Sequence, residues 1–70
     1  MKSEWTDNEG GWGSVTVTMD DGTCYQADIA YDADGGSVEG VTLDGHQVDM
    51  TALPAGVLNA MIDAGEEMAH

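Results

Sequence analysis

The sequence predicts an α+β domain, an antiparallel β-meander of three to four strands packed against one C-terminal helix. Three observations predict it. From Ser14 into the thirties apolar and polar residues alternate, as they do along a half-buried strand. Asp-Gly pairs at Asp21-Gly22, Asp34-Gly35 and Asp44-Gly45 punctuate that region and are strong local signals for chain reversal. Beyond Leu53 the apolar spacing changes from two to three and four, the period of an amphipathic helix.

Taken in order, residues 1–13 combine Glu4, Asp7 and Glu9 with Gly10, Gly11 and Gly13 and read as an irregular arm or a short edge strand leading to Trp12. Ser14 to Met19 place Val15, Val17 and Met19 on one face and Ser14, Thr16 and Thr18 on the other. Asp20-Asp21-Gly22 reverses the chain. Thr23 to Asp32 then point Tyr25, Ala27, Ile29 and Tyr31 inward and leave Cys24, Gln26, Asp28 and Asp32 on the solvent face. A turn at Ala33-Asp34-Gly35-Gly36 leads to a third strand in which Val38 is out of phase with Val41 and Leu43, which marks Gly40 as a bulge. After Asp44-Gly45, His46 to Asp49 return as a short final strand, closing a meander over 14–50.

Leu53, Val57, Leu58, Met61, Ile62, Gly65 and Met68 draw one stripe along a helix expected over 54–69, with Pro54 in its first turn and Thr51 as a cap or turn residue upstream. Met61, Met68 and Ile62 are read as core. The aromatic rings divide: Trp12 is expected to close the core at the sheet edge, and Trp5 is equally a packing residue or a binding anchor. Seventy residues form one domain whose core supplies about 3–5 kcal/mol unless a staple or partner adds to it. Cys24 is the single cysteine, so no internal disulfide is available and a reducing, cytoplasmic setting is expected. No stretch has signal-peptide character or approaches the roughly 20 apolar residues of a membrane span, so no membrane partner is expected.

Charge is the outlying property. Fourteen Asp and Glu stand against one basic side chain, Lys2, for a formal net charge of -13. Such an excess opposes the compact state through self-repulsion, and high charge often accompanies disorder. Here 41% of residues are hydrophobic and fall at strand and helix periods, which argues for a fold. Direct nucleic-acid binding is disfavoured, because affinity for phosphates comes from Lys and Arg.

Site chemistry is sparse. Asp32-Ala33-Asp34-Gly35-Gly36-Ser37-Val38-Glu39 has the acids of a calcium loop but not its spacing: positions five, six and twelve are Gly36, Ser37 and Leu43, where an EF-hand needs a ligand, a glycine and a glutamate. It reads as a hairpin turn. His46 and His70 with Cys24 make no zinc set and are read as surface histidines. Cys24 is read as structural. No nucleophile, base and oxyanion donor can be assembled, so neither an enzyme nor a cofactor is expected.

The acids are therefore the candidate partner-binding surface: Asp20, Asp21 and Asp44 at one end of the meander, Asp32 and Asp34 at the other, Asp28 on the outer face, and Glu66 and Glu67 in the last turns of the helix, where Asp63 also falls but is not among the candidates. Negative charge at a helix C-terminus opposes the macrodipole, so stability did not select it. Residues two apart on a strand stand about 6.7 Å apart on one face, a spacing of the order of successive phosphates. The expected partner is a basic nucleic-acid-binding protein or complex, met by a monomer or weak homodimer. General solubility or high-salt adaptation is the competing account of the same charge.

Val41-Thr42-Leu43-Asp44-Gly45-His46-Gln47-Val48-Asp49, running into Thr51-Ala52-Leu53-Pro54, resembles the hairpin-to-helix junction of small acidic accessory proteins from bacteriophages and mobile elements, several anti-CRISPR proteins among them. The resemblance implies a non-enzymatic inhibitor working in the cytoplasm of a bacterial host, a DNA mimic whose carboxylates occupy the basic surface where a CRISPR effector grips DNA. A small phage structural or regulatory adaptor, binding through Trp5, Trp12 or the helix, is the alternative.

Overall fold

In the computed structural model, which describes residues 1–69, five strands form one antiparallel sheet in the order β1-β2-β3-β4-β5. They are β1 (Lys2–Asp7), β2 (Trp12–Thr18), β3 (Cys24–Asp32), β4 (Gly35–Leu43) and β5 (His46–Val48). A 3-10 turn at Met50–Ala52 leads to the helix α1, Val57–Ala69. Each strand pairs with its neighbour in sequence, so local turns suffice to build the sheet. Two of them are two-residue turns, Ala33-Asp34 and Asp44-Gly45; in the second both residues have positive φ, 53° and 84°, the geometry that matches the twist of a two-residue hairpin.

The expected meander is present with one strand more. Of the two readings of residues 1–13, the strand is correct: β1 runs in unbroken register from Lys2 opposite Thr18 to Asp7 opposite Gly13. Gly40 lies at the irregularity, where pairing with β3 shifts between Asp28 and Ile29, so Val38, Val41 and Leu43 all reach the inner face. The helix starts at Val57 rather than Pro54. Asp49 accepts from the Thr51 N–H at 2.9 Å and hydroxyl at 2.8 Å, capping a separate 3-10 turn. Gly56, with φ of 88°, then breaks the path from Pro54 into α1, so Thr51 belongs to the turn and Asp49 is its cap.

One face of the sheet holds the core: Val15, Val17, Ala27, Ile29 and Val41 from the strands against Val57, Met61, Ala64 and Met68 from the helix. Tyr25, Tyr31, Met19, Val38, Val48 and Leu53 pack around it. Met61 and Met68 are core as expected, but Ile62 is 36% exposed. The buried positions 57, 61, 64, 65 and 68 span an arc of about 100° on a helix advancing 100° per residue, centred between Met61 and Met68, and Ile62 falls outside it. Trp12 does not close the core. It lies on the opposite face, opposite Ala30, and is 48% exposed.

Helix and sheet meet backbone to backbone where Gly65 crosses Gly36. A Cβ on Gly36 would stand 2.8 Å from the Gly65 Cα, and one on Gly65 would stand 2.8 Å from Ile29 Cγ2. Neither position admits a methyl without moving the helix. Nothing lies within 4 Å of a Cβ built at Gly40. Gly36→Ala and Gly65→Ala are therefore expected to cost about 1–3 kcal/mol each as overpacking, and Gly40→Ala to be neutral or slightly stabilising; urea denaturation of the three variants measures the contrast.

Candidate acidic interface

The meander sorts its carboxylates by end. The β2–β3 and β4–β5 turns lie at the end where the helix enters, and the β1–β2 and β3–β4 turns at the end where it finishes. All fourteen acidic residues are exposed. Asp20, Asp21 and Asp44 fall at the entry end. Asp7, Glu9, Asp32, Asp34, Glu66 and Glu67 fall at the exit end. Glu4, Asp28 and Glu39 mark the outer face, and Asp49 and Asp63 lie apart from these groups.

The few cations are at the entry end and the β1 start. The Met1 amine pairs with Asp20 at 2.7 Å and Lys2 Nζ with Glu4 at 3.0 Å. No ion pair forms at the exit end among the described residues. There Asp32, Asp34 and Glu66 line one cleft of about 330 Å³ with Tyr31 and Gly36, and Glu67 accepts from the Trp5 indole N–H at 3.2 Å. The Gly36–Gly65 crossing explains this convergence, because it lays the last helical turn across this end of the sheet, with Glu66 beside the β3–β4 turn, Met68 over Gly13 and Glu67 beside Trp5. Of the expected partner-binding residues, then, Asp32, Asp34, Glu66 and Glu67 share one end. Asp20, Asp21 and Asp44 are at the other, and Asp28 lines a separate outer-face groove with Ser14, Gln26 and Thr42.

Asp7 and Glu9 join the exit end, although the sequence reading of residues 1–13 as an irregular arm or a short edge strand did not place them among the partner-binding acids. The available signal was Asn8-Glu9-Gly10-Gly11, a turn sequence that would have made residues 2–7 the partner of the next strand. Tyr31 Oη donates to Asp7 Oδ1 at 2.5 Å, and the Tyr31 N–H donates to the Gly11 carbonyl at 2.8 Å, so the first hairpin is tied to the third strand.

Four aspartates are held by the same local device. Asp7, Asp21, Asp32 and Asp49 each accept from the backbone N–H two residues on, at 2.8–2.9 Å, the hydrogen bond by which Asp and Asn build turns. The Tyr31 hydroxyl and then the Glu9 N–H hold Asp7 below its ordinary value. Backbone N–H groups of Thr23 and Thr51 do the same for Asp21 and Asp49. Tyr31 is raised, first by its bond to Asp7 and then by desolvation.

Among the described residues no three His, Cys, Asp or Glu side chains are placed to hold a metal ion. In the Asp32–Glu39 segment Asp32 ends β3, Ala33 and Asp34 form the hairpin turn, and Gly35–Glu39 begin β4. Cys24 is exposed, with its thiol near Thr18 Oγ1 at 3.6 Å. His46 is exposed, while His70 lies outside the described residues. No helix among them is long and apolar enough to cross a membrane.

These hydrogen bonds set two pH limits. Asp7, Asp21 and Asp49 have lowered folded values, so their contribution is complete above the ordinary 3.8 and is lost as pH falls through the lower folded values. Tyr31 is raised, so its contribution is complete below 10.0 and is lost as pH rises through the higher folded value. Thermal melts across pH are expected to show both limits, and Tyr31→Phe to weaken the alkaline one while leaving that of Asp21 and Asp49. An unchanged alkaline limit would contradict the Asp7–Tyr31 assignment. Compared with protein-family models, with curated proteins and with solved structures, the chain finds no match in any of the three.

Proposed function

We propose that this chain is a non-enzymatic acidic inhibitor, a DNA mimic of the anti-CRISPR type its sequence resembles, occupying the basic DNA-binding surface of a partner such as a CRISPR effector complex. The observation that carries the reading is linear charge density. A formal charge of -13 spread along a body 34 Å long and about 20 Å across amounts to one charge per about 2.6 Å. Duplex DNA carries one per about 1.7 Å and a single strand one per about 3.4 Å. The protein lies between them, and its length is close to one duplex turn of about 34–36 Å.

Two further features support mimicry over plain solubility. Turn chemistry asks for Asp or Asn with equal force, yet all four turn residues bonded to the second N–H along are Asp, so their charge is additional to what the turn needs. Glu66 and Glu67 oppose the helix dipole, and they do so at the end where other carboxylates already crowd. A fixed array of this kind presents charge without the ordering cost a flexible acidic tail would incur on binding.

The experiment is competition. A purified effector should lose binding of labelled target DNA as this protein is added, with a steep dependence on salt. Asp32→Asn keeps the turn hydrogen bond and removes the charge, so it should weaken inhibition without lowering the melting temperature. Glu66→Lys should weaken it further while raising the melting temperature, because a cation suits that end of the helix. Asp21→Asn, at the opposite end, should act less. DNA loading that stays normal at saturating protein would reject mimicry for the effector tested.

A second reading has its own observation: Trp12 stands 48% exposed on the uncovered sheet face. An adaptor anchored there would hold its partner in moderate salt and release it on Trp12→Ala, the reverse of the pattern expected for charge.

A further inference from the structure

The sheet has two unequal edges. On one side β5 is three residues long, and β4 beyond it carries Gly35, Gly36 and Gly40 with the pairing irregularity, devices that blunt an edge. On the other side β1 pairs with β2 over all six of its residues with no bulge, glycine or proline, and every one is exposed. Asn8 N–H donates to the Trp12 carbonyl, so in an antiparallel ladder the even-numbered residues of β1 face β2. The N–H and C=O groups of Ser3, Trp5 and Asp7 therefore point away from the sheet, at an edge no described element covers.

The helix-side face of that edge is acidic, whereas on the outer face Glu4 is paired with Lys2 at 3.0 Å. Asp7 stands on the helix side with Trp5, whose 41% exposed ring is held by its indole bond to Glu67. We infer that the open edge of β1 accepts an extended, Lys- or Arg-rich segment of a partner as a sixth strand. Main-chain pairing to Ser3, Trp5 and Asp7 supplies register. A basic side chain placed opposite Trp5 lies on the same face, where it meets the ring and the Glu67 carboxylate together. A second copy of the chain is the poorer occupant, because each copy brings a charge of -13 and its own Glu4 and Asp7.

The inference rests on the proposed function only for the partner's positive charge. A partner that met the acidic ends alone would compete with DNA and leave these amides untouched, and one that only added a strand would do the opposite, so the two readings fail separately.

The test uses the full chain and a ten-residue peptide alternating Arg and Thr, compared with the same peptide N-methylated throughout and with a Glu-Thr counterpart. The Arg-Thr peptide is expected to slow hydrogen exchange at the Ser3, Trp5 and Asp7 amides at least tenfold and to shift the Trp5 indole resonance. The other two peptides should do neither. Ser3→Pro removes an N–H that the fold does not use and should abolish the slowing at Trp5 and Asp7. Should that variant not fold, the N-methylated peptide carries the comparison alone. Equal binding by the N-methylated peptide, absence of slowing, or slowing that depends on protein concentration without peptide would each overturn the inference, the last by assigning the edge to a second copy.

Discussion

The contact between Gly36 and Gly65 governs how the rest of this molecule is arranged. Two backbones can approach this closely only where neither carries a side chain, and a helix laid on a sheet at that distance has little freedom to slide or roll. The crossing puts Gly65 at one edge of the buried arc, beyond which Ile62 is 36% exposed. It sets Met68 over Gly13, whose own Cβ would stand 2.6 Å from the Met68 sulfur. It carries Glu66 to the β3–β4 turn and Glu67 to Trp5 on β1. A domain with nine buried core side chains depends on such close approach, since a small core gains stability from packing density more than from area.

Electrostatics works against that packing. With two cationic groups engaged, both pairs exposed and so weak, the remaining carboxylates are opposed mainly by water and by backbone N–H groups. The Asx-type bonds at Asp7, Asp21, Asp32 and Asp49 are in this sense dual: they close turns, and they place negative charge against the partial positive charge of an amide. The exit end has fewer such compensations for Glu66, and its position next to the C-terminal carbonyls of the helix is unfavourable. Selection for stability alone would have placed Lys there.

Much of the fold was legible because β2 and β3 obey period two throughout and β4 obeys it on either side of one shift. Val15 and Val17, Tyr25 to Tyr31, and the phase change at Gly40 all follow from it. The same rule, carried two residues back from Ser14, places Trp12 on the outer face with Thr16 and Thr18, so its exposure was available to parity and was overridden by the expectation that a large ring must be buried. β1 was harder, since none of its side chains is buried and its strand conformation comes from pairing with β2 rather than from a hydrophobic pattern. The helix start was misplaced because proline marks a first turn only when the chain enters directly, and Gly56 interposes a reversal. The grouping of Asp32, Asp34 and Glu66 was not legible at all: it depends on which residues of the helix and the third hairpin touch, and two glycines decide that.

The uncovered face completes the physical account of the sheet. A row running across the five strands, Glu4, Thr16, Gln26, Thr42 and Gln47, follows from the registers, and it contains no apolar side chain. An antiparallel sheet tolerates water on such a face, so a second layer is not required for folding, and one helix suffices. The consequence is a thin body about 20 Å across, in which no carboxylate is buried. High surface charge, a polar outer face and a single covering helix are thus parts of one solution: the thinness that limits the core also keeps every acid exposed to solvent.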